Sequence, residues 1–244
     1  MVKVDFYNHI GHFAAAAEVF CKALFFGGVT RRFPTLKFAF LECGVGWACS
    51  LYHDLIGHWE KRNLRAVREH LDPARVDRAL FVDLVKRYGD ARALARIDEI
   101  EARDSLFIAR YPERAEDLDE WAACRIDSVD DIRDLFVPNF YFGCEAGDRT
   151  ARWAFDHRLN PGGARLKAIF SSDVGHWDVT DCRAVLAEAD ELVANGFLSR
   201  DDFRSFVFEY PLELHAGMNP AFFAGTAIED AVAQALARRE RRVG

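Results

Sequence analysis

A chain of 244 residues, half of them hydrophobic and 13% aromatic with 21 Phe, can bury a sizeable core and does not have the composition of a disordered segment. A formal charge of −7 and a pI near 5.6 exclude a general nucleic-acid or anionic-membrane surface. No stretch of about eighteen apolar residues occurs, the first residues lack a signal-peptide layout, and the six cysteines form no CxxC pair, so a cytoplasmic protein with reduced, packed thiols is expected.

Residues 12–26, HFAAAAEVFCKALFF, predict an Ala-rich helix buried nearly all round, closed by Gly27-Gly28. Pro34-Thr35 opens LKFAFLEC, a strand ending at Glu42, and Gly44-Val45-Gly46-Trp47 then turns the chain into a helix through about Lys61. Strand, acid, glycine turn and helix make one βα unit. Residues 62–125 differ, being rich in Arg, Asp and Glu at helical spacing, with breaks near Asp72-Pro73 and Gly89-Asp90. They predict two or three amphipathic helices forming an insertion or peripheral layer.

Strand character returns in NFYFGCE, ending at Glu145, followed by a helix over 149–157 and an Asn160-Pro161-Gly162-Gly163 turn. LKAIFSSDVGHWD then starts as an apolar run without polar alternation, the mark of a strand in a parallel sheet covered on both faces. Asp173 falls just past its carboxyl end, the edge where α/β sheets collect ligands. The remainder predicts helices over 181–194, 200–208 and 227–240, the last two opened by capping boxes Ser199/Asp202 and Thr226/Glu229, with PLELHAGMNPAFFAG as a loop between them.

Three strands thus end in Glu42, Glu145 and Asp173. In one parallel sheet these carboxylates would share a rim and repel one another unless a cation or shared protons intervene. One divalent metal, taken by hard oxygen ligands, meets that need; the plainer alternative is that each acid caps the following helix. His176 would stand above the rim, able to donate a hydrogen bond or move a proton. Phe142 and Trp177 could wall an apolar substrate pocket. His9 and His12, three apart, could share a ligand but have no third partner. No G-x-S-x-G elbow and no full dinucleotide fingerprint is present.

GGVTRRFPTLKFAFLECGVGW, NFYFGCE, IFSSDVGHWD and DFRSFVFEYPLELHAGMNPAFF resemble the amidohydrolase-related family, which includes 2-amino-3-carboxymuconate semialdehyde decarboxylases. The resemblance implies an α/β fold. Specifically, it implies the carboxyl half of a (β/α)8 TIM barrel, with about three parallel strands, a helical insertion at about 62–125 and a helical C-terminus, all in one partial domain over 1–244. It implies a metal-dependent hydrolase of C–N or C–O bonds, or a non-oxidative decarboxylase, with one divalent ion, zinc first and manganese or magnesium as alternatives. By the same resemblance Asp173 is metal ligand and proton-transfer group. Glu42 and His176 join it in catalysis, and Glu145, Trp177, Phe142, His9 and His12 stand toward a small-molecule substrate. The family's His-x-His is missing, so the implied metal site is incomplete in this chain. The alternative is a catalytically inactive remnant that acts as an interaction protein, with a homo-oligomer covering the open sheet edges.

Overall fold

The computed structural model describes residues 11–72, 75, 77–102 and 118–243; His9 lies outside them. The chain forms two compact units, Met1–Gly57 with Ala123–Gly244, and His58–Ala122. The second consists of short helices, Leu64–Ala66, Arg78–Tyr88, Ala91–Leu94 and Ile97–Ala102, with a π turn at Val67–Leu71. Asn63, Asp77 and Asp90 cap three of these helices by accepting a backbone N–H with their side chains.

The first unit is mixed α/β, built on an open three-stranded parallel sheet: β1 (Phe38–Phe40), β2 (Phe140–Cys144) and β3 (Lys167–Phe170), in that order. Phe38 pairs with Phe140 and Phe40 with Phe142, while Tyr141 pairs with Lys167 and Cys144 with Phe170. Paired residues of parallel strands share a face, so alternation sorts the aromatics. Phe40, Phe140 and Phe142 point to one side, where Phe142 stacks on Phe40 at 6.0 Å and Phe136 meets Phe140 at 5.1 Å. Trp47 and Tyr52 of the helix Gly46–Arg62 and Phe25 of the helix His12–Phe26 complete this core.

Tyr141 and Ile169 point to the other side and pack on Leu214 and Tyr210. There Lys167 is buried; its Nζ donates to the Tyr141 hydroxyl at 3.1 Å and pairs with Glu213.

Three sequence expectations change. The segment after 209, expected as a loop, is the helix Tyr210–Met218. Pro211 has no N–H to give, and the preceding π turn Ser205–Glu209 lets the helix from Arg200–Arg204 run on past it. At Thr226 the expected reciprocal cap does not form. The Thr226 hydroxyl donates to Phe223 O at 2.7 Å, and Glu229 accepts from the Gly225 N–H, also at 2.7 Å. The box at Ser199/Asp202 is complete. Finally, the helix His12–Phe26 buries Ala17, Cys21, Leu24 and Phe25, but Ala16, Val19, Phe20 and Ala23 are exposed. Its apolar side chains run all round, yet the sheet covers only one side. Among the described residues no helix is long and apolar enough to cross a membrane.

A carboxylate-lined cleft at the strand ends

Because the three strands run parallel, the acids that follow them emerge at one edge. Glu42, Glu145 and Asp173 line a single cleft of about 860 Å³, together with Asp148, Asp178 and Glu188. Close packing of three turns builds its floor. The Gly44 N–H donates to Gly143 O at 3.0 Å, and the Ser171 N–H donates to Cys144 O at 2.9 Å. Gly143 admits no side chain, since a Cβ there would stand 2.4 Å from Ser171 Oγ. Gly44 has φ of 62°, and a Cβ on it would meet Asp148 Oδ2 at 2.8 Å. Asp148 in turn is held by Thr150, accepting from its N–H at 2.8 Å and its hydroxyl at 2.7 Å.

Two of the acids occupy unusual backbone. Glu42 has φ of 58° and Asp173 has φ of 51°, in the left-handed region that non-glycine residues seldom enter. Such conformations cost on the order of 1–3 kcal/mol and persist where the surroundings enforce them. Asp173 starts a turn in which the His176 N–H donates to its carbonyl at 3.2 Å. The same turn brings His176 Nδ1 to 2.8 Å from Asp173 Oδ1. Glu42, Asp173 and His176 each offer one ligand atom, and these atoms lie within 4.8 Å of one another.

Crowding shows in the titration of Glu145. Partial burial first, then the carboxylates of Asp173, Asp148, Asp178 and Glu42, push its carboxyl above the ordinary value. The neighbouring thiols are shifted for the same reasons. Burial and then Asp148 push Cys49 up to about 12 and Cys144 well above the usual thiol range.

The remaining candidates are placed elsewhere. Phe142 is fully buried between Phe40 and Phe136, on the sheet face covered by the helices His12–Phe26 and Gly46–Arg62, and is outside the cleft lining. Trp177 is 83% exposed and outside the cleft lining. His12 is exposed at a helix start, stacked on Phe13 at 4.1 Å, also outside the lining. Sequence reasoning passed over Asp148, although Asp-x-Thr just before a helix is a known capping arrangement. It also passed over Asp178 and Glu188, which carry no local signal and reach the cleft through the loop after β3 and the helix Val185–Ala194.

No family model matches this chain, and no curated protein or solved structure does.

Proposed function

We propose that this cleft binds one divalent cation between Glu42, Asp173 and His176 and uses it to hydrolyse a C–N or C–O bond of a small molecule, or to decarboxylate one without oxidation. The observation that carries the reading is the approach of those three ligand atoms to within 4.8 Å, with Glu42 and Asp173 in the lining of the cleft beside Glu145, Asp148, Asp178 and Glu188 and His176 just outside that lining. Two oxygens and one imidazole nitrogen suit zinc or manganese, and three protein ligands leave positions for water or substrate. A cation so held supplies a Lewis acid and acidifies a bound water.

The chain's own groups do the rest. The His176 contact orients Asp173, which acts as ligand and base, and the αL backbone at Glu42 and Asp173 aims both acids at the cleft rather than along the next helix. Glu145, in the lining of the same cleft, serves as the acid toward a leaving group. An anionic substrate enters this cleft only with the cation in place, so the decarboxylase alternative depends on the metal more strongly than hydrolysis does. The sequential order β1–β2–β3 of parallel strands accords with a segment of a (β/α)8 barrel.

Calorimetric titration of the chelator-treated protein with Zn²⁺ and Mn²⁺ tests the reading. One bound ion per chain is expected, with affinity reduced at least tenfold in Asp173→Asn and Glu42→Gln. Absence of stoichiometric binding, or equal binding by Asp173→Asn, overturns it.

A further inference from the structure

The helix His12–Phe26 has an apolar surface that is exposed among the described residues. Ala16, Val19, Phe20 and Ala23 follow one another at spacings of three, one and three, which sets them on one stripe, and all four are exposed. Val19 is 65% exposed and Phe20 58%. The charged pair on this helix, Lys22 and Glu18, neutralises itself at 2.8 Å. The stripe adjoins an open sheet edge, since the Phe20 ring lies 6.3 Å from that of Phe40 in β1. Among the described strands β1 pairs only with β2. On the second face of that edge, Ala39 is exposed and Leu41 is 57% exposed. An unpaired edge strand flanked by large apolar side chains invites pairing with another chain.

We infer that this surface is the contact between two copies of the chain, arranged about a two-fold axis that runs beside β1. The patch suits itself. Two-fold association brings a surface against its own copy, and this one runs small, bulky, bulky, small, so Ala16 of one protomer meets Ala23 of the other while Val19 packs on Phe20 between them. The stripe carries no charge, so self-contact sets no like charges together. Its extent is sufficient: Val19, Phe20 and Leu41 with the exposed alanines leave on the order of 500 Å² per protomer, hence about 1,000 Å² in the pair, the size at which a specific contact becomes credible. Two β1 edges meeting about that axis run antiparallel and join two three-stranded sheets into one of six.

Sedimentation velocity on the full chain, over a hundredfold range of concentration, tests this without reference to the chemistry of the cleft. A monomer–dimer equilibrium is expected, with the dimer predominant at tens of micromolar. Phe20→Glu and Val19→Lys should each weaken it at least tenfold while keeping the wild-type circular dichroism. Leu186→Glu, a change at a residue 53% exposed on another helix, should leave it unaltered. A wild-type chain that stays monomeric throughout, or a dimer that both stripe variants leave intact, overturns the assignment.

Discussion

Lys167 and Glu213 form a pair whose removal separates electrostatics from packing. Lys167 opens β3, the strand whose far end carries Asp173, and Glu213 lies on the helix Tyr210–Met218 that covers the sheet's second face. Their side chains are 8% and 12% exposed, and Lys167 Nζ stands 4.8 Å from the centre of the Tyr141 ring besides donating to its hydroxyl. At such burial salt screens little, and removing one partner leaves the other desolvated without its counter-charge. Glu213→Leu and Lys167→Met should therefore each cost about 3–5 kcal/mol, because the orphaned charge carries the penalty. For a chain of this size that corresponds to a fall in melting temperature of roughly 10 °C. The double variant replaces the pair with apolar groups and should recover most of the loss, leaving it within about 1 kcal/mol of wild type. Urea unfolding followed by circular dichroism on all four proteins gives the coupling energy. If the double variant loses the sum of the two single effects, the pair is not electrostatically coupled and the reasoning fails.

Gly44→Ala should destabilise by at least about 1 kcal/mol, from the positive φ alone, and should lower cation affinity because its Cβ displaces Asp148; an unchanged urea midpoint contradicts this. Glu145 contributes to pH dependence with a definite sign. Its folded-state pKa is raised, so the folded chain binds more protons than the unfolded one, and stability is lost as pH rises from the ordinary carboxyl range through the raised value. Glu145→Gln should thus gain stability relative to wild type at pH 7 and show no gain at pH 4, as read from paired thermal melts. Phe136→Ala, which opens a hole beneath Phe140 and Phe142, should cost about 3–5 kcal/mol and lower the unfolding midpoint accordingly. In native protein a thiol reagent should label the exposed Cys182 first and reach the buried Cys144 and Cys49 only on unfolding, which timed mass spectrometry checks.

The strands were readable because FAF, FYFGC and KAIF are short, mainly apolar runs without polar alternation, each with an acid a few residues beyond it. Ser199 with Asp202, and the helix His12–Phe26, carried their own local signals. Phe142 shows what composition leaves out, since it says that a residue is apolar but not which face it takes. Only the register with Phe40 and Ala168 fixes that. The segment from Pro211 was read as a loop, yet the π turn before it relaxes the regular hydrogen bonding that an interior proline disturbs, and the helix runs on. Asp178 and Glu188 arrive at the cleft through tertiary folding, and periodicity holds no record of that.

The backbone at Glu42 and Asp173 constrains how this protein can be improved. Both side chains occupy a conformation in which glycine would rest without penalty, so selection for thermal robustness alone would drive these two positions toward glycine. Each step would harden the scaffold and remove an oxygen from the mouth of the cleft. An acid that gives way to glycine under thermal selection alone, but persists when activity is selected as well, would therefore be marked as kept for chemistry.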